Sequence, residues 1–414
     1  MNPSTEVPGS RTPYYVSALA MAIPALMLGF QISGWIFFVA SVRDGHPDFR
    51  ANYSAGYMAR SGQVRQLYDY DAQKTVQDRL ISREQVAMPF IHPAYESLLY
   101  ATFSVMSFHR AYIAFLATNL LLLSICVYLL RQEMEALAQV WWLLPFAIFF
   151  TYLPVAAALM QGQDSIILLA LTVIAFSLLD RGDDLPAGLI LGLGVFRFQL
   201  TIPIAVLFLL ERRWRFAAGF AVSGVLAAAL SVLLVGVSQT KFYLRSLASM
   251  SIGGVSALEQ VRYQQPLSHM GNLRGLVDAI TSAHFAPTLV QATVIAASLA
   301  VVLWTAIRFR QVGGGGELLL LGVVMAEVVS YHMFIHDMSL LALPIAVLLN
   351  RSIRTDGRPK EIGRGTLGAC AMMFVAPALI IFAPYHFYLV CLAMIALLVA
   401  LSTEFPIGVK GTPH

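Results

Sequence analysis

Apolar blocks about 20 residues long recur along most of this chain, and each is long enough to cross the hydrocarbon core of a bilayer. Within lipid every backbone N–H and C=O must be bonded inside its own segment, so long apolar runs become helices. The strands of an outer-membrane barrel would instead alternate apolar and polar residues over about 10 positions, which these runs do not. Composition agrees with the pattern. Of 414 residues, 58% are hydrophobic and only 12% charged, whereas a soluble domain is about a quarter charged. The expectation is an all-α polytopic integral membrane protein, one transmembrane domain over residues 1–414, with about 12 transmembrane helices.

The first span runs from Tyr14 to Val42, too long for the h-region of a signal peptide. The others are expected near 111–130, 138–160, 165–180, 185–197, 199–211, 216–237, 287–307, 317–333, 338–350, 366–383 and 385–402. The stretch from His92 to Phe108 is short and begins beside a proline, so a re-entrant or interfacial element is expected there. Charge sets the orientation. With the N-terminus in the cytoplasm, the short inner loops carry Arg131, Arg181, Arg212, Arg213, Arg215, Arg308, Arg310, Arg351, Arg354, Arg358, Lys360 and Arg364. The opposite turns are nearly free of lysine and arginine, as the positive-inside rule requires. The two long loops, 43–110 and 238–286, then fall outside. Gly313–Gly316 is expected to form a flexible inner turn.

With that orientation the unusual polar residues sort to one face. The first outer loop carries Asp44, Asp48 and Tyr53, then His92, Tyr95 and Glu96 in PFIHPAYES. A turn between spans reads Gln161-Gly162-Gln163-Asp164-Ser165. The hairpin between the two short spans carries Arg197 and Gln199, and the second outer loop ends with His269, Asn272 and Arg274. The turn before 338–350 holds Tyr331, His332, His336 and Asp337. An arginine in an apolar hairpin faces a partner or a water-filled cavity; Glu327, inside a span, is as costly and has no evident partner. The pair His332 and His336 is four residues apart but lacks a third metal ligand. The cysteines Cys126, Cys370 and Cys391 all lie in apolar runs, without a metal or disulfide pattern. No cofactor or metal is expected, and no nucleic-acid partner.

Such a face suits an enzyme whose substrate is held by lipid. A lipid phosphate calls for cationic and N–H donors, and transfer to a hydroxyl calls for a general base, which a carboxylate at a cavity mouth supplies. A membrane transporter or lipid flippase using the same polar cavity is the alternative. It would be expected to show paired repeats and broken helices near the midplane.

The segments DFRANYSAGYMARSGQVRQLYD, PFIHPAYESLLYATFSVM, QGQDSIILLALTVIAFSLLDRG, AGLILGLGVFRFQLTIPIAVLFLLERRWR, GNLRGL and HDMSLLALP, in this order, resemble membrane glycosyltransferases of the GT-C superfold. The resemblance is to glycosyltransferase family 87, which includes polyprenyl-phosphate-mannose-dependent mannosyltransferases. It implies an extracytoplasmic active site in a bacterial inner membrane. It also implies a polyprenyl-phosphate sugar donor, a lipid or glycan acceptor, surrounding membrane lipids and inverting transfer. Asp48 corresponds to the family's aspartate and is the expected general base. Arg197 stands where many relatives carry lysine and is expected to bind the donor phosphate, with His332 and Arg274. Tyr53, His92, Gln163, Gln199, Asn272, His336 and Asp337 are expected to bind substrate.

Overall fold

The computed structural model describes residues 14–252, 267–310, 314–353 and 364–404. Arg354, Arg358, Lys360 and Gly313, together with residues 1–13 and 253–266, lie outside the described residues. The chain opens with α1 (Tyr14–Asp44), α2 (Phe49–Arg60), α3 (Tyr70–Leu80), α4 (Ser97–Phe103) and α5 (Phe108–Leu129). Then come α6 (Glu135–Val140), α7 (Leu144–Thr151), α8 (Leu153–Gln161), α9 (Ser165–Asp180), α10 (Asp184–Gly192), α11 (Phe198–Leu210) and α12 (Trp214–Ile252). The remainder forms α13 (Leu273–Thr281), α14 (Pro287–Phe309), α15 (Gly315–Val329), α16 (Ala342–Arg351), α17 (Arg364–Val375), α18 (Leu379–Phe382) and α19 (Val390–Glu404).

Among the described residues seven helices are long and apolar enough to cross a membrane, or eight if the bent pair Gln132–Val140 and Leu144–Thr151 forms one span. The described residues are therefore those of a helical membrane protein. Its outer helices turn apolar side chains outward: Phe37 of α1 and Leu233 of α12 are 83% and 81% exposed. In water such surfaces would aggregate, whereas lipid satisfies them. The seven are fewer than the twelve expected because 185–211 counts as one helical run, 138–160 is broken, and α9, α15 and α16 are short. Short helices can serve there because these three are interior. From Leu318 to Val328 every residue of α15 is buried, so it meets protein rather than lipid on all sides.

The apolar run Asp184–Leu210 is continuous in helix, and at about 1.5 Å per residue its 27 residues would span about 40 Å if straight. It is not straight. Arg213 Nη1 lies 3.2 Å from Asp184 Oδ1, so α11 returns to the level where α10 began. The turn falls at Arg197, which leaves helical geometry at φ −107° and ψ 56°. The expected short-span hairpin is therefore present. Glycine lets α10 and α12 pack in close parallel contact. A Cβ on Gly188 would collide with the Phe216 carbonyl, and one on Gly219 with that of Leu185; small residues are the usual means of such approach in membranes.

At the end of the molecule that holds Asp184 and Arg213, the ion pair Arg351–Glu317 links α16 and α15 at 3.1 Å. At the same end Arg310 lies 3.9 Å from Glu211. The other end is roofed by the first loop. There α4, only seven residues, is too short to cross, about 10 Å in length. It packs on α2, where Gly56 brings the two backbones together against Tyr100. An aromatic cluster of Phe49, Tyr53, Tyr100, Phe108, Tyr112 and Phe115 anchors this roof to α5. After the break at Gly236 (φ 81°, ψ 165°), α12 continues along the roof, with Tyr243 stacked on Tyr68 at 4.8 Å.

Candidate active site

Beneath the roof lies a cavity of about 630 Å³ lined by Asp48, His92, Gln163, Arg197, Gln199, His332 and His336, among others. Five segments far apart in sequence build its polar wall: the start of α2, the strap before α4, the α8–α9 turn, the turn before α11 and the turn before α16. Charge matching explains why they meet. A buried ion is stable only when its partners are buried with it, and each segment brings one.

Arg197 is the centre. Its Nε donates to Asp164 Oδ1 at 2.7 Å and its Nη2 to Gln163 Oε1 at 2.7 Å. Its Nη1 lies 3.1 Å from Asp337 Oδ1. Asp164 and Asp337 are both 0% exposed. On the far side of Asp164, His92 Nδ1 lies 3.1 Å from Oδ2 and 2.6 Å from Glu96 Oε2. The line Glu96–His92–Asp164–Arg197–Asp337 thus alternates carboxyl and cation through the site. Burial works against every charge in it. For His92 the two carboxylates overcome that penalty and lift the imidazole to about 9. Burial lifts Glu96 to about 7, despite His92 beside it. Asp164, also buried, is carried well below the usual carboxylate range by Arg197 and then His92. The ligand atoms of His92, Glu96 and Asp164 lie within 4.8 Å of one another, a donor set a metal ion would accept. The imidazolium and Arg197 already bring positive charge to both carboxylates.

A pH dependence follows. His92 is raised above its ordinary value of about 6.5, so its contribution to stability is complete below that value and fades as pH rises through about 9. Glu96, also raised, acts in the same direction between about 4.5 and 7. Thermal unfolding in detergent is expected to move to lower temperature between pH 6.5 and 9.5, by up to about 3 kcal/mol for His92. In His92→Gln that slope should flatten; an unchanged slope would remove His92 as its source.

Asp48 stands at the entrance to this network. It follows α1 and a turn at Gly45, precedes α2, and is half-buried on the cavity wall. Oδ2 accepts from Gln163 Nε2 at 2.6 Å, and the backbone N–H donates to Gln161 Oε1 at 3.2 Å. Burial raises this carboxyl, while His336, Gln163 and Arg197 pull it back. Burial pushes His332 down to about 4, so its ring is neutral at physiological pH and offers an uncharged N–H.

Other expected site residues fall elsewhere. Tyr53 is buried in the aromatic cluster, its hydroxyl donating to the Met106 carbonyl at 2.9 Å, and does not line the cavity. Asn272 caps α13, accepting from Gly275 N and donating to Ser330 O at 2.6 Å. Arg274 sits behind the wall, over the Tyr331 ring at 3.8 Å with Nη1 donating to the Tyr331 carbonyl. Asp337 lies beneath the wall as a partner of Arg197. Asp44 ends α1, exposed. Glu327 is buried in α15, and neither of its oxygens has a hydrogen-bond partner among the described residues; nothing in the structure explains it. Sequence reasoning gave no role to Asp164 or Glu96. The signal for Asp164 was available: a buried Arg197 requires a buried anion.

The model of one protein family, glycosyltransferase family 87, matches residues 90–335. That stretch holds His92, Gln163, Asp164, Arg197 and His332, and ends one residue before His336. Comparison with curated proteins and with solved structures returns no match.

Proposed function

The chain belongs to glycosyltransferase family 87, and from this we propose that its cavity transfers a sugar, mannose by the family resemblance, from a polyprenyl-phosphate donor to a lipid or glycan hydroxyl. The observation that carries the reading is the Asp48 carboxylate. It is held at one oxygen by Gln163 on the wall of a polar cavity in a membrane enzyme. In the proposed reaction the acceptor hydroxyl loses its proton to Asp48 as its oxygen bonds to the anomeric carbon. The bond from that carbon to the donor phosphate breaks on the opposite face, with inversion. The departing polyprenyl phosphate is met by N–H donors at His332 and His336 and by the charge of Arg274 behind Tyr331; stabilising leaving-group charge in a partly dry site is where such groups contribute most. In this reading Gln199 and the His92 edge, both on the cavity wall, meet sugar hydroxyls. Arg197, whose guanidinium is already shared among Asp164, Asp337 and Gln163, supports the site electrostatically rather than as the first phosphate contact.

On the same proposal the fold is of GT-C type. The chain passes about twelve times between the two ends, with α10 and α11 as short crossings and α9, α15 and α16 as short interior ones. The arginine-rich end faces the cytoplasm of a bacterial cell and the cavity faces outward. The test is donor class. The purified protein in vesicles is expected to move labelled sugar from polyprenyl phosphate and to leave a nucleotide sugar untouched. Transfer from the nucleotide sugar alone would overturn the proposal.

A further inference from the structure

Resting on the reading of Asp48 as the base, we infer that the turn Gln161–Asp164, backed by Arg197, is the device that positions the Asp48 carboxylate. Arg197 fixes the Gln163 amide, Gln163 fixes one carboxylate oxygen, and the other oxygen is left for the acceptor. Gln163 and Arg197 are positioning residues in this account.

The Gln163 side chain has only one workable orientation. Its Oε1 accepts from Arg197 Nη2 at 2.7 Å and its Nε2 donates to Asp48 Oδ2 at 2.6 Å. Turned over, it would set its oxygen against a carboxylate and its NH₂ against a guanidinium. Those two neighbours, one acceptor-only and one donor-only, decide the amide's direction. Arg197 is itself held at Nε by Asp164 and at Nη1 by Asp337, and Asp164 is braced from behind by His92. The relay therefore starts from a fixed point.

The turn grips Asp48 by its backbone as well. Gln161 Oε1 accepts from the Asp48 N–H at 3.2 Å, so the two glutamines flanking Gly162 hold main chain and side chain separately. Gly162 makes this possible. It ends α8 in the left-handed region at φ +65°, and a Cβ there would stand 2.7 Å from Phe49 Cβ. The turn lies flush against the first residue of α2, adjacent to Asp48. With Oδ2 occupied, Oδ1 accepts no hydrogen bond among the described residues, and Asp48 lines the cavity. The sequence Gln-Gly-Gln-Asp thus has four separate tasks: backbone clamp, close approach, side-chain clamp and anchor for the arginine.

The test is the pH profile of transfer from a polyprenyl-phosphate sugar in Gln163→Leu and Gln163→Glu. In the leucine variant kcat is expected to fall about 10- to 100-fold, the scale set by misplacing a reacting group by about an ångström. Donor KM should stay within about threefold, because the group lost acts on the base rather than on bound donor. The acid limb should move up by about one pH unit, since a donor to the charged form is gone. The isosteric Gln163→Glu sets a carboxylate beside Asp48 and should move the limb further, with activity recovering at higher pH. It also serves if the leucine variant does not accumulate. An acid limb at the wild-type position in Gln163→Glu, or in both variants, overturns the relay, as does a loss confined to donor KM. Asp48→Asn measured alongside separates the two levels. If it is inactive while the glutamine variants keep the wild-type limb, only the relay fails. If it is fully active, the base assignment fails and the relay with it.

Discussion

Asp48→Asn is expected to lower sugar transfer by about 10³-fold or more, the scale of a lost general base, while the protein folds and inserts normally. Asparagine is isosteric and its oxygen can still accept from Gln163 Nε2. The direction of the stability effect also follows. Burial penalises the ionised Asp48 carboxyl, so neutralising it should leave thermal stability unchanged or slightly raised, within about 1 kcal/mol. A lost activity accompanied by a collapse of stability would mean that Asp48 is structural.

Arg197→Ala has the opposite profile. It removes the cation facing Asp337 and one of the two facing Asp164, both fully buried. Breaking a buried pair from one side costs about 3–5 kcal/mol, because the remaining charge has no solvent to turn to. The expected result is a large fall in the unfolding midpoint and in the yield of monodisperse protein in detergent. Arg197→Lys should recover part of the loss through its charge, but not the fork that serves Asp164 and Gln163 together. A stable Arg197→Ala that fails only in donor binding would instead restore the phosphate role expected from sequence.

The two variants also show where sequence was informative. That Arg197 sits in a hairpin followed from its position between two apolar runs, 185–197 and 199–211, each shorter than a full span. That the polar segments lie together followed from the asymmetry of arginine between the two faces. What the residues do to one another was less accessible. Arg197 was legible as a buried cation, but its anions come from residues 33 and 140 positions away, and the apolar content of the spans says nothing of which helices are neighbours. Tyr53 and Asn272 have the chemistry of sugar-binding residues. The fold gives the first to an aromatic anchor and the second to a helix cap, roles decided by the registry of α2 on α5 and by the start of α13. Glu96 lies four residues from His92 in a strap containing Pro93, where no helical periodicity would announce the pair. The long spans were plain because lipid enforces about 20 apolar residues; the interior helices were legible too, 165–180 against α9 (Ser165–Asp180) and 317–333 against α15 (Gly315–Val329), because burial on all sides makes the whole run apolar.

A single displacement driven by one carboxylate base inverts the sugar, so the anomeric configuration of the product relative to the donor is decisive. Proton NMR on product made from a polyprenyl-phosphate sugar of defined configuration reads it out. Inversion is expected, with no covalent sugar on the protein at any time in the reaction. Retention of configuration, or a glycosyl adduct trapped on Asp48, would contradict it, because Asp48 would then be a nucleophile rather than a base.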